Sequence, residues 1–233
     1  MSSEAISVFW FRRDLRLDDN VGLLEALQSE HRVLPIFIFD KHILENLPKD
    51  DARVNFIHET LQTMRQELQG VYKSSIAMFY GNPEDIFREL ITNYNIKRVF
   101  TNHDYEPYAT ERDGSIASFL RSKQIAFNSF KDQVIFEKDE IVKADGKPYM
   151  VYTPYMKLWK ATFRNQALKF HDTRPHLHNL IEDTDLPNLT LSDIGFKPST
   201  QKIAPYNVSR SLIRDYEATR NFPAKDSTSR LGP

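Results

Sequence analysis

The feature that most constrains the fold is an alternation of short apolar segments with amphipathic ones across residues 1–131. Apolar residues recur every three or four positions in the intervening segments, which is typical of helices that pack one face on a sheet. The apolar segments themselves predict strands at residues 6–11, 33–39, 75–80, 97–102 and 125–130. This order favours a parallel sheet with right-handed crossovers. The sequence therefore predicts an α/β fold with a five-stranded, parallel, doubly wound Rossmann-like sheet.

Local signals place three helices between these strands. Residues 54–68 carry an apolar stripe with spacings of 3, 4, 3 and 4. Asn82 followed by Pro83 has the chemistry of a helix start, with an N-cap side chain and a proline at the first position. A further helix is predicted over residues 108–123. Pro35 argues against a central position for its strand, unless it lies near the beginning of that strand.

The alternation stops after residue 131. A helix is predicted to begin with Thr153 as its N-cap and Pro154 at its first position. Residues 169–206 are polar, contain several prolines and show no period, so we expect a long surface connector. A last helix is predicted over residues 207–220.

Composition excludes several classes of function. A net charge of -1 over 233 residues argues against a uniformly basic nucleic-acid binder, although a local basic face stays possible. The absence of cysteine excludes disulfides and thiolate chemistry and suits a reducing compartment, so we expect a cytoplasmic protein. No apolar run approaches the roughly 20 residues of a membrane span. The 7 glycines form no phosphate-binding loop, and the 7 histidines lack ligand spacing, so we expect no metal site.

Charged residues follow two of the predicted strands. Residues 12–19, RRDLRLDD, follow the first strand, and residues 102–113, NHDYEPYATERD, follow the fourth. Parallel strands place their carboxyl ends at one edge of the sheet, where open α/β folds bind ligands. Carboxylates there can accept hydrogen bonds from ring N–H groups, and aromatic side chains can cover a planar ligand. The alternatives are a solvated charged turn and a helix start with acids near its positive end.

Both charged stretches resemble one known family. Residues 8–20, VFWFRRDLRLDDN, are similar to the opening strand and loop of the photolyase/cryptochrome family. Residues 104–108, DYEPY, followed by Arg112 and Asp113, resemble the stretch that helps to bind an antenna pigment in that family. The resemblance implies that four residues bind the antenna chromophore: Arg12, Arg53, Asp104 and Glu106. Arg53 equally fits a solvated helix residue.

The identity of the antenna stays open at this point. Many folate-using members of the family have an Asn-Glu pair where this chain has Tyr108 and Ala109. This departure weakens the case for methenyltetrahydrofolate, and a deazaflavin or a flavin is at least as consistent.

A third stretch resembles the first FAD-binding element of the same family. There a tyrosine precedes a Thr-Ser-x-Leu-Ser string by a dozen positions, and hydroxyls with backbone N–H groups suit the pyrophosphate of FAD. The residues that match are Tyr216, Thr228, Ser229, Arg230, Leu231 and Gly232. Gly232 replaces the usual serine, which removes one hydroxyl but keeps a backbone donor. The alternative is a polar turn between helices.

The resemblance implies a light-driven flavoprotein. In family photolyases an excited, reduced FAD donates an electron to a pyrimidine dimer in DNA, and the dimer splits. We expect this chain to be the N-terminal fragment of such an enzyme, closest in pattern to class I cyclobutane-dimer photolyases. This interpretation divides the chain into three parts. Residues 1–131 form the α/β antenna domain, residues 132–205 form the interdomain linker with one helix, and residues 206–233 form the truncated start of the all-α FAD-binding domain.

The same reading implies partners for the intact protein. UV-damaged DNA would bind through the missing helical domain, and the antenna is a small molecule. We expect a monomer without membrane contact, and we expect the fragment alone to hold no stable FAD and to be inactive. The loop residues Arg13, Asp14, Arg16 and Asp18 are interpreted as a salt-bridged scaffold or a contact with the helical domain.

Two other hypotheses for the function of the chain stay open. The chain could be the same region of a cryptochrome, a photoreceptor without repair activity. It could also be an unrelated nucleotide-binding α/β module, which would bind adenine nucleotide at the sheet edge.

Overall fold

A parallel five-stranded sheet forms the centre of the molecule. The computed structural model describes residues 4–201, 210 and 214–225. The strands are β1 (Ala5–Phe11), β2 (Arg32–Asp40), β3 (Ala77–Gly81), β4 (Asn95–Asn102) and β5 (Ala126–Phe130). They lie in the order β3-β2-β1-β4-β5, and all neighbouring pairs are parallel. The predicted fold class is confirmed.

Helices flank the sheet and continue beyond it. They are α1 (Val21–Leu27), α2 (Lys41–Leu44), α3 (Ala52–Tyr72), α4 (Pro83–Asn93), α5 (Pro107–Ser122), α6 (Tyr152–Arg164), a 3₁₀ helix (Arg174–Asn179) and α7 (Tyr216–Thr219). In the part of the chain that the structure describes, no helix is long and apolar enough to cross a membrane. Of the predicted last helix, residues 210 and 214–220 are described, and its end corresponds to α7.

Two of the predicted N-cap residues can be compared with the observed starts of α4 and α6. Asn82 accepts a hydrogen bond from the backbone of Glu84, as its place before a proline predicts. The predicted start at Thr153 is wrong, because Val151 is the residue with extended backbone and α6 begins at Tyr152. Thr153 therefore lies inside the first turn, where its hydroxyl is not in the N-cap position.

The core has two layers, one on each face of the sheet. Alternate residues of β1 point to opposite faces, so Phe9 and Phe11 pack on one side and Val8 and Trp10 on the other. The first side is covered by α1 and α3, and the second by α4 and α5. Because β1 is buried on both faces, its sequence is apolar except for Ser7, which is itself buried.

Pro35 lies in an inner strand after all. It is in register with Phe9 of β1, whereas the pairing of β2 with β3 begins only at Ile36. The missing N–H of Pro35 therefore precedes the part of β2 that has strands on both sides.

The segment predicted as a surface connector packs onto the sheet. Five of its apolar side chains are buried, namely Leu177, Leu180, Leu186, Ile194 and Phe196. The backbone N–H of Ile181 donates to Val33 (3.0 Å), and that of Met78 donates to Pro187 (2.8 Å). Irregular backbone carries no periodic signal, so the sequence did not reveal this packing. The domain boundaries themselves stay a prediction.

One buried arginine holds this segment in place. The guanidinium of Arg65, which is 4% exposed, donates to the carbonyl groups of Leu186 (3.1 Å), Pro187 (3.3 Å) and Ile76. Burial lowers the pKa of Arg65 below its ordinary value. The side chain therefore satisfies carbonyl groups that would otherwise be buried without donors.

We expect Arg65→Met to release residues 177–196 from the sheet. Buried carbonyl groups without donors cost about 1–3 kcal/mol each, so the free energy of unfolding should fall by about 2–4 kcal/mol. Hydrogen exchange followed by mass spectrometry should show lost protection in residues 177–196 and unchanged protection in β1. The matched control is Arg121→Met, because Arg121 is exposed. Equal protection in the two variants would contradict the assignment.

Candidate functional site

The carboxyl edge of the sheet holds two cavities. The larger cavity, of about 950 Å³, lies over the ends of β1 and β2 and beside α3. The smaller one, of about 250 Å³, is polar and lies between the loops that follow β1 and β4. Arg12, Arg13 and Asp104 line both cavities. The edge predicted to bind a ligand is therefore where the cavities lie.

The large cavity combines apolar walls with a polar end. Its volume falls within the roughly 300–1,000 Å³ of ligand pockets. Most of the wall comes from β2, α2 and α3. The lining apolar residues are Trp10, Leu15, Phe37, Ile38, Phe39, Ile43, Leu44, Val54, Phe56, Ile57, Met64 and Ala109. The polar end is formed by Asp40, His42, Tyr108 and Arg112. Such a cavity suits a planar, mostly apolar ligand with a few hydrogen-bonding groups at one side.

A largely buried ion cluster lies beneath the polar end. The Nη1 atom of Arg12 donates to both carboxylate oxygens of Asp113 (2.9 and 2.7 Å), and Arg112 donates to the same carboxylate (3.1 Å). Both arginine side chains are 9% exposed. Burial lowers the pKa of Arg12, and the charge of Asp113 opposes that effect. Asp113 therefore compensates two buried cations at once.

Trp10 lies between these cations. The guanidinium carbons of Arg12 and Arg112 are each 4.9 Å from the centroid of its ring. Its Nε1 atom is buried and has no hydrogen-bond partner among the described residues. A buried indole N–H usually has a partner, and Trp10 lines the large cavity. We interpret this donor as available to a ligand acceptor.

Asp40 and Tyr108 form a second polar group in the cavity. The hydroxyl of Tyr108 donates to Oδ2 of Asp40 (2.7 Å), and Arg112 lies 3.6 Å from the same oxygen. Burial and the hydrogen bond to Asp40 raise the pKa of Tyr108, which keeps its phenol protonated. The ring of His42 stacks on Tyr108 with a centroid distance of 4.6 Å. Together they present a carboxylate and a flat aromatic surface.

Arg13 forms the rim of the site. Its guanidinium is 2.6 Å from Glu106 and 3.6 Å from Asp104. The hydrogen bond with Glu106 raises the pKa of Arg13. The side chain of Arg13 is half exposed, so each pair stabilises the fold by no more than about 1 kcal/mol.

The structure brings together three of the four residues assigned to the antenna. Arg12, Asp104 and Glu106 line the large cavity. Arg53 lines neither cavity; its side chain is 72% exposed and pairs with Asp51 (2.7 Å) at the start of α3. This geometry agrees with the alternative of a solvated helix residue. Whether any of the four binds a pigment stays a prediction.

The charged residues of the loop after β1, apart from Arg12, form ion pairs and hydrogen bonds, in agreement with the predicted scaffold. Arg16 pairs with Asp132 (2.8 Å), and Asp18 lies 3.4 Å from Arg174. The carboxylate of Asp14 accepts from the backbone of Arg12 (2.7 Å). These contacts hold the loop that carries Arg12.

Sequence reasoning missed several residues of the site. Trp10, Asp40 and His42 were not singled out, although Asp40 ends an apolar strand in the same way as Arg12 follows one. That position was the available signal for Asp40. The apolar walls from α3 had no signal, because they carry the ordinary pattern of a core helix.

The residues assigned to FAD are largely outside the described part of the chain. Tyr216 begins α7 and is 47% exposed. Thr228, Ser229, Arg230, Leu231 and Gly232 lie outside the described residues. The FAD assignment stays a prediction.

Comparisons with known proteins agree on one family. A family model for DNA photolyase matches residues 7–175. A deoxyribodipyrimidine photo-lyase of a Synechococcus strain is 32% identical over 97% of this chain and 50% of its own length. Cryptochrome-1 of Drosophila melanogaster is 30% identical over 67% of this chain and 30% of its own length. The chain thus spans about half the length of the photo-lyases it matches.

Solved structures give the same result. A bacterial class III photolyase from Agrobacterium tumefaciens superposes with a TM-score of 0.75 at 25% identity, covering 98% of this chain and 49% of that one. An archaeal photolyase from Sulfolobus tokodaii, solved with two FAD molecules and described as implicating a novel light-harvesting cofactor, has a TM-score of 0.57 at 25% identity. That likeness covers 70% of this chain and 36% of the archaeal one.

Proposed function

The chain belongs to the DNA photolyase family, and we propose that it is the light-gathering half of a photolyase, which binds an antenna chromophore in the large cavity. The observation that carries this proposal is the cavity itself, of about 950 Å³, with apolar walls and a polar end at the carboxyl edge of the sheet. Its position is where an α/β sheet binds ligands.

The residues present fit a planar pigment. Phe39, Leu44 and Met64 would cover its apolar faces, and Asp40 would accept a hydrogen bond from a ring N–H. The buried N–H of Trp10 would donate to a ring carbonyl or nitrogen. Arg12, Asp104 and Glu106 would form the polar surroundings, with Arg12 acting mainly through Trp10 and Asp113. Once bound, the pigment supplies light absorption and energy transfer to a second chromophore.

For the pigment in this cavity we favour a flavin or a deazaflavin over methenyltetrahydrofolate. Tyr108 and Ala109 replace the Asn-Glu pair of many folate-using relatives, and the structure places Tyr108 against Asp40 in the cavity. The archaeal photolyase with two FAD molecules is a precedent for a flavin in the family.

The activity of the whole protein is part of the same proposal. In the whole protein, Tyr216 and residues 228–232 would hold part of the reduced FAD. Electron transfer from this FAD would split pyrimidine dimers in UV-damaged DNA. The relatives named photo-lyases support this reaction class. The chain alone would lack repair activity and would be a cytoplasmic monomer. A cryptochrome function is the second candidate, because cryptochromes occur among the relatives.

The test is direct pigment binding. The purified chain is mixed in turn with FMN, 8-hydroxydeazaflavin, methenyltetrahydrofolate and AMP, and each mixture is passed through a gel-filtration column. We expect a flavin or deazaflavin to elute with the protein near one equivalent, with a shifted absorption band. Retention of AMP alone would favour the unrelated nucleotide-binding module. Retention of none of the four would contradict the proposal.

A further inference from the structure

A basic face on α6 is not used by the candidate site. Residues 147–171 contain five lysines and arginines and no aspartate or glutamate, in a chain whose net charge is -1. Three of these cations lie on α6, at Lys157, Lys160 and Arg164. No segment of this length elsewhere in the sequence carries such an excess of one sign of charge.

The three cations form one stripe. Their spacings of 3 and 4 residues place them on the same side of a helix. All three side chains belong to exposed residues, and within the described residues none has an ion-pair or hydrogen-bond partner. The cations of the loop after β1 are different, because Arg12, Arg13 and Arg16 are each paired with carboxylates.

The other side of α6 carries two aromatic side chains, one of which contacts the segment before the helix. Trp159 packs edge-on against Phe136, with ring centroids 5.3 Å apart, and Phe163 stacks on Trp159 at 5.1 Å. The aromatic side of α6 is distinct from the basic stripe, whose three residues are exposed. The three cations therefore share the exposed side of α6.

We propose that this stripe binds the phosphate backbone of DNA. Lys157 and Arg164 are seven residues apart, which corresponds to about 10.5 Å along a helix. One strand of B-DNA carries a phosphate per about 3.4 Å of its axis, so the stripe spans about three phosphates. A stripe of cations that have no partner among the described residues suits a polyanion better than a protein groove.

This contact rests on the part of the proposed function in which the intact protein acts on DNA, and it is independent of pigment binding. It assigns to the α/β half and its linker a share of the nucleic-acid surface. Because backbone contacts carry no sequence information, the binding should be independent of sequence and strongly dependent on salt.

The test compares two charge-matched triple variants of the full 233-residue chain. One is Lys157→Gln/Lys160→Gln/Arg164→Gln. The control is Lys97→Gln/Arg121→Gln/Lys123→Gln, which removes three exposed cations elsewhere. Fluorescence anisotropy with a labelled duplex of undamaged DNA measures affinity between about 50 and 200 mM salt. Circular dichroism checks that the fold is unchanged.

We expect the α6 variant to lose at least about tenfold in affinity and the slope of log K against log salt to fall by about 3. The control should keep the wild-type affinity and slope. Absence of wild-type binding at about 50 mM salt would overturn the proposal and leave a protein partner as the better explanation of the stripe. Equal losses in both variants would also overturn it. Pigment binding, read by absorption in the same samples, reports separately on the proposed function.

Discussion

We expect Asp113→Asn to lower the free energy of unfolding by about 3 kcal/mol, the lower end of the cost of breaking a buried ion pair. The reason is that two cations depend on this carboxylate. Arg12 and Arg112 both donate to it, and both side chains are 9% exposed. The amide keeps the shape of the side chain but removes the charge, so the loss reports on uncompensated buried guanidinium groups. Thr101 still accepts from Arg12 (2.9 Å), which limits the loss.

Thermal unfolding followed by circular dichroism measures this effect. For a chain of this size the melting temperature should fall by about 6–12 °C. Glu111→Gln is the matched control, because Glu111 lies on the same helix and is exposed. A fall below about 2 °C for Asp113→Asn, or an equal fall for the control, would show that the cluster does not stabilise the fold.

Thr60→Trp should abolish pigment binding while leaving the fold intact. Thr60 lies on α3 and lines the large cavity, and its hydroxyl donates only to the backbone of Phe56 in the same helix (2.8 Å). An indole at this position occupies the space of a planar ligand. We expect the dissociation constant for the retained pigment to rise by at least about hundredfold, or about 2.8 kcal/mol.

Glu59→Trp provides the control for the added indole. Glu59 precedes Thr60 on α3, is exposed and does not line the cavity. Equilibrium titration by absorption should give the wild-type affinity for this variant. Unchanged affinity in Thr60→Trp would place the pigment outside the large cavity, even if binding itself were confirmed.

The fold could be predicted closely because its signals are local. The continuous apolar residues of β1 and the alternating stripes of α3 and α4 each lie within a short segment of chain. Strand β1 is confirmed from Ala5 to Phe11, within one residue of its predicted start. The connector was predicted wrongly, since Leu186 and Phe196 are buried without any helical or strand period.

For the site, the sequence predicted only the location, which is the carboxyl edge of the sheet. Arg12 and Asp104 were expected at the carboxyl ends of two strands, and both line the cavities. The partner of Arg12 is Asp113, 101 residues further along the chain and one turn or more inside α5. No spacing rule links residues so far apart, and the adjacency of β1 and β4 brings them together.

The sequence by itself determined the elements, their parallel order and the sheet edge at which charges collect, because hydrophobic period and strand direction are properties of neighbouring residues. Only the tertiary structure decided which of those charges are neutralised. It paired Arg12 with Asp113 away from solvent and Arg53 with Asp51 in solvent. It also enclosed Asp40 and Trp10 in a cavity walled by α3. Burial and ion pairing depend on distances between segments remote in the chain, and the packing of α3 and α5 on the sheet sets those distances.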